Sequence, residues 1–171
     1  MRIVPSESRI VVETLARGML AAAAHDLRIE APIRAAEVMG EARCVARATV
    51  SDMKVIASCR HGTASWHDPN PSDARDIEER IRTQAFPDLG EIVVDATLSS
   101  ETRATLTVRA ARAQTVETSV RVERTPSKTT VHGRCELSLD ALGVGKIHVP
   151  LGAIKLDDRV TVSFDVTFAP G

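Results

Sequence analysis

The sequence predicts an all-β chain, an antiparallel β-barrel with one short helix inserted at about residues 73–84. Three features lead to this. Apolar and polar residues alternate one by one along segment after segment, the spacing of strands that bury a single face. The links between these segments are short and rich in turn formers, which favours antiparallel neighbours because a parallel pair needs a long crossover. Only one segment shows the period of an amphipathic helix.

In chain order, residues 9–15 (RIVVETL) and 27–33 (LRIEAPI) read as strands, as do 41–50 and 53–58. The rows then sharpen. Ile92, Val94, Ala96 and Leu98 stand against Glu91, Asp95 and Thr97. Ala104, Leu106, Val108 and Ala110 stand against Thr105, Thr107 and Arg109. Val116, Val120 and Val122 oppose Glu117, Ser119, Arg121 and Glu123. Val131, Cys135, Leu137 and Leu139 oppose His132, Arg134, Glu136 and Ser138. The last row is the cleanest, with Val160, Val162, Phe164, Val166 and Phe168 against Thr161, Ser163, Asp165 and Thr167. These segments add up to roughly eight or nine strands, which suits a closed up-and-down barrel. Turns are expected at 99–101, 111–114 and 125–128, the last with Pro126 setting φ.

Ser72 is the expected N-cap of the helix. Asp73 and Asp76 bring carboxylates to its positive end, and Ala74, Ile77 and Ile81 form one apolar stripe, with Pro87 beyond. Before it lies the longest irregular stretch, 59–71 (CRHGTASWHDPNP), broken by Gly62, Pro69 and Pro71. No composition shift, repeat or low-complexity tract divides the chain, so residues 1–171 are expected to form a single domain.

Composition excludes several function classes. A hydrophobic content of 43% with 26% charged residues is that of a globular chain. A net charge of −1 leaves no basic excess for a phosphate backbone, and one Trp (Trp66), three Phe and no Tyr leave few stacking platforms. Nucleic acid is therefore not expected as a partner. No apolar run reaches the roughly 18 residues of a membrane span. The segment 15–24 (LARGMLAAAA) is interrupted by Arg17 and preceded by Glu7 and Glu13, unlike a secretory leader, so a cytoplasmic location is expected. Cys44, Cys59 and Cys135 are odd in number and widely spaced, and read as buried thiols.

Three constellations carry residue types suited to chemistry. Cys59, His61 and His67, with Asp68 or His25 as a fourth ligand, offer thiolate and imidazole donors for zinc, but their spacing matches no finger pattern; an exposed polar loop is the plainer reading. His25-Asp26 are adjacent on an extended chain and point apart, with no nucleophile placed beside them, so a structural turn with His25 bonded to backbone is expected. Gly143 and Gly145 (LGVGKI) lack the Lys-Ser or Lys-Thr end and following helix of a phosphate loop. His132 and His148 fall on polar faces and are expected in solvent. No metal, cofactor or catalytic residue is assigned, and no enzyme is expected.

The order of these segments resembles the YceI-like family. The resemblance runs from 4–12 (VPSESRIVV) through Gly18 and Ala24-His25-Asp26 to 72–94 (SDARDIEERIRTQAFPDLGEIVV), where a helix rich in Asp precedes an aromatic, a Pro and the next strand. It closes with Val131-His132-Gly133, then 137–143, then 156–160 and the final alternating strand. It covers nearly the whole chain. The family's signal peptide, and with it a periplasmic location, is not matched, and interior aromatics are scarce.

The resemblance implies a lipocalin-like barrel that carries a polyisoprenoid or related lipid. The residues are compatible with that, because an eight-stranded barrel either fills its interior with side chains or holds one small ligand. The expected lining is Val94, Ala96, Leu106, Val108, Val120, Val122, Leu137, Val162, Phe164 and Val166, with small residues such as Ala96, Ala104 and Ala110 leaving room. Two alternatives stand beside this carrier. One is a structural or interaction domain with a filled core, with a homodimer through a strand edge or the helix as its form. The other is the metal-binding loop at Cys59, His61 and His67.

Overall fold

The computed structural model describes residues 1–17, 24–40, 42–147 and 155–170. Its strands are β1 (Arg2–Ile3), β2 (Arg9–Thr14), β3 (Ala16–Arg17), β4 (His25–Glu30), β5 (Ile33–Met39), β6 (Arg43–Thr49), β7 (Lys54–Arg60), β8 (Glu91–Ser100), β9 (Arg103–Arg109), β10 (Ala113–Arg124), β11 (Thr129–Ser138), β12 (Lys155–Leu156) and β13 (Arg159–Ala169), with helix α1 (Pro71–Arg80) between β7 and β8. Each alternating row of the sequence lies on one of these strands, with Ala110 and Leu139 one residue beyond the ends of β9 and β11, and every pairing among the described residues is antiparallel.

The barrel is closed by two bent strands. β4 and β5 are joined only by Ala31-Pro32, and β6 and β7 by a 3-10 turn at Val50–Asp52. Pro32 supplies no N–H to a ladder, so the strand turns a corner there. On one side of the corner β4 pairs with β2 and β7; on the other β5 pairs with β6, and β6 with β8. The remaining staves follow as a meander, β8-β9-β10-β11-β13, and β13 returns to β2. The corner exposes two strand edges, a liability for unwanted pairing. β1, paired to β13, also packs near β5, while β7 is covered by α1 and by a bridge from Ser58 to His67.

A second corner lies opposite. β10 pairs with β9 along residues 113–119 and with β11 along 120–124. Beyond Val120 and Gly133 the two strands part, and side chains replace the ladder: Thr118 Oγ1 donates to the Arg134 carbonyl at 2.6 Å, and Gln114 Oε1 accepts from the Ser138 N–H at 3.0 Å.

The helix begins two residues earlier than expected. Asn70, not Ser72, is the cap: its Oδ1 accepts from the Ser72 N–H at 2.9 Å, and Pro71 takes the first helical position, where its missing N–H costs nothing. The helix ends in a single π turn, Ile81–Ala85. Two further expectations need correction. Cys59 and Arg60 belong to β7, so the irregular stretch starts after them. β5 was not expected, because Ala35, Ala36, Glu37 and Met39 are helix formers that the neighbouring β6 draws into a strand.

Glu78 anchors the helix to the barrel. Its carboxylate is buried at 8% exposure, accepts from the edge N–H of Val55 at 3.1 Å, and pairs with Lys54 at 3.0 Å. Lys54 is largely exposed, so the backbone bond matters more than the ion pair. Glu78→Ala is expected to cost about 2–3 kcal/mol in urea denaturation, because it strands a buried donor. Glu78→Gln keeps a carbonyl for Val55 and should lose less than half of that.

Candidate ligand cavity

Each inward row contributes every second residue, so the side of one residue fixes the side of its whole strand. The inward rows surround an apolar cavity of about 720 Å³, within the range of roughly 300–1,000 Å³ typical of small-molecule sites. The space exists because alanines sit where larger residues would meet: Ala46, Ala48, Ala96, Ala104 and Ala110 all border it. The interior is therefore not filled by side chains.

Of the expected lining residues, Val94, Ala96, Leu106, Val108, Val122, Leu137, Val162, Phe164 and Val166 border the cavity. Val120 does not: it is buried in the wall where β10 changes partner. Much of the lining was missed. Ile10 and Val12 on β2, Cys44, Ala46 and Ala48 on β6, and Ile81 and Ala85 of the π turn all face it. The first two strands show apolar residues on both faces, which hides the inward side, and the π turn reaches the cavity only through tertiary packing.

The two ends differ. At one end lie the β5–β6, β8–β9 and β10–β11 turns, and the cavity rim there includes Gly40, Thr97, Arg124 and Thr129. At the other, the π turn packs against residues 139–147, with the Gly145 N–H donating to the Ala85 carbonyl at 2.7 Å. Ile81, Ala85, Leu142 and Val144 face the cavity from that end. Gly145 is a close-approach glycine and Gly143 a turn glycine at φ +69°; neither belongs to a phosphate loop.

One wall contact shapes the interior. Gly133 and Phe164 are directly opposed on β11 and β13, and the phenyl ring lies over the glycine. An aromatic ring commonly shields a strand glycine in this way. Cys44 and Cys135 also face the cavity. Burial pushes the Cys135 thiol up to about 11 and raises that of Cys44, helped by Asp95. Both stay protonated at neutral pH and act as apolar lining, since the thiolate is the reactive form.

The candidate metal ligands do not border the cavity and are engaged separately. Cys59 Sγ donates to the Thr63 carbonyl at 3.7 Å, and burial, then Asp26, raises its pKa. His61 Nδ1 lies 2.8 Å from Asp26, which also accepts from the Ala16 N–H at 2.9 Å. His67 Nδ1 lies 3.1 Å from the Asp68 carbonyl oxygen and 3.3 Å from Ser58 Oγ. Among the described residues no three His, Cys, Asp or Glu side chains converge on one point. The expected turn at His25-Asp26 is instead the start of β4. Asp26 is the buried structural member, tying β3 and the loop after β7 to the wall, while His25 is exposed, with its ring centroid 6.3 Å from that of His67. His132 is not simply solvated: it is half-buried, with Nδ1 2.5 Å from Asp165 and Nε2 3.6 Å from Glu123. His148 and Gly18 lie outside the described residues.

Among the described residues no helix is long and apolar enough to cross a membrane. No protein-family model and no curated protein matches this chain. Among solved structures, the chain is similar to the crystal structure of BcnA from Burkholderia cenocepacia, with a TM-score of 0.58 over 98% of this chain and 99% of that one, at 11% sequence identity. At that identity the likeness is one of fold: this chain is an all-β, antiparallel, lipocalin-like barrel with one short helix.

Proposed function

We propose that the protein is a YceI-like carrier that binds an apolar, chain-like small molecule, a polyisoprenoid or other lipid, inside the barrel, and that it does so without catalysing a reaction. The observation that carries this reading is the cavity of about 720 Å³ with a predominantly apolar wall, most of it Val, Ile, Leu and Ala. An aliphatic chain needs no directed partner: burying each CH₂ is worth roughly 0.8 kcal/mol. Ten such groups supply about 8 kcal/mol before the cost of ordering the ligand. Scarce aromatic side chains favour a flexible chain over a planar ring system, because only Phe86, Phe164 and Phe168 offer ring faces to the interior.

Native mass spectrometry of gently purified protein, paired with titration of N-phenyl-1-naphthylamine, tests the reading. Co-purified lipid, or saturable probe fluorescence displaced by a long-chain alcohol, is the expected result. A clean apo mass together with no probe binding would overturn it.

A further inference from the structure

We propose that the ligand is an amphiphile with an anionic head, and that Arg124 receives that head at the hairpin end of the barrel; this rests on the carrier reading above. The inward rows are uncharged along nearly their whole length. On β8, β9, β11 and β13 they run through Val, Leu, Ile, Ala, Phe, Cys, Gly and Thr only. The row on β10 is the exception: after Val120 and Val122 its next inward position is Arg124.

Among the described residues the charged side chains bordering the cavity are Arg43 and Arg124, both cations. They are not equivalent. Arg43 belongs to the outward row of β6, where Asp95 holds its guanidinium through Nε and Nη2 at 2.9 and 2.7 Å, so it reaches the cavity only at the lip. Arg124 stands opposite Thr129, itself on the rim and opposite Phe168. Its ion-pair partner is Glu101 in the β8–β9 turn, and both side chains are more than half exposed. A pair so open to water contributes little, so a ligand head can displace Glu101 cheaply.

The opposite end dictates polarity. Ile81, Ala85, Leu142 and Val144 meet the cavity there and favour an alkyl tail. Among the described residues no charged side chain borders the cavity at that end, so a charged head there would lose its hydration, whereas at the hairpin end it stays wet and gains a planar, two-pronged donor. The class this fits is a single-chain aliphatic acid or phosphate monoester, since carboxylate and phosphate both accept bidentate hydrogen bonds from arginine.

The test is displacement of N-phenyl-1-naphthylamine by hexadecanoate, hexadecyl phosphate and hexadecanol. The wild-type chain should prefer the anions over the alcohol by about tenfold, the scale of one charge-assisted contact. Arg124→Gln should remove that preference and leave hexadecanol unchanged, Arg124→Lys should restore part of it, and Glu101→Gln should strengthen it. The ratio of carboxylate to phosphate affinity names the head. Equal affinity for all three in the wild type, or a loss in Arg124→Gln that is the same for acid and alcohol, overturns the proposal. Failure of the probe to bind at all overturns the carrier reading beneath it.

Discussion

Gly145→Ala is expected to be the most destabilising glycine-to-alanine change among the described residues, costing about 2–3 kcal/mol in urea denaturation. A Cβ at this position would lie 2.0 Å from the carbonyl oxygen of Gln84. That neighbour is backbone within the π turn, so it cannot rotate aside as a side chain would. The segment must instead lift, breaking the bond from the Gly145 N–H to the Ala85 carbonyl and unsealing the helix end of the cavity. The conformation itself is not the obstacle, because Gly145 does not occupy the left-handed region. Gly90→Ala serves as the control: nothing lies within 4 Å of its added methyl, and near-neutral stability is expected. Equal stability of both variants would show that residues 143–147 do not press on the π turn.

The contrast between these glycines also shows what a sequence can and cannot convey. The rows from Ile92 onward are readable because each has one apolar and one polar face, and the period of two then places every residue of a strand once one is placed. That parity is why most of the expected lining faces the cavity. Val120 keeps the inward parity and is buried in the core, yet it does not border the cavity: it sits where β10 changes partners, an event of the whole sheet that leaves no local mark. The N-terminal half fails for a different reason. β5 carries alanine on both faces, at Ala35 and Ala36, β6 sets Val45 on the face opposite Ala46 and Ala48, and the corner at Pro32 divides one long strand into two pairings. The segment read as a strand over 27–33 in fact straddles that corner. Ala46 and Ala48 also border the cavity, so a strand that is hard to read contributes to its space.

Gly133→Ala is expected to weaken N-phenyl-1-naphthylamine binding by about tenfold or more while costing only about 1–2 kcal/mol of stability. Here the added methyl would meet Phe164, with Cζ at 2.2 Å and the two Cε atoms at 2.7 and 2.8 Å. These are the far atoms of a side chain that can turn about its own bonds, so the clash is relieved by rotation and the sheet is spared. Phe164 projects from the inward row of β13, and both β11 and β13 are held by a full ladder along this stretch, so the ring has the cavity as its open direction. A phenyl group moved inward takes volume from the ligand and leaves the fold nearly intact. Adding Phe164→Val to Gly133→Ala removes the displaced ring and should return probe affinity to within a few-fold of wild type. A Gly133→Ala protein that binds the probe normally but unfolds at much lower urea would mean that the wall, rather than the ring, has yielded.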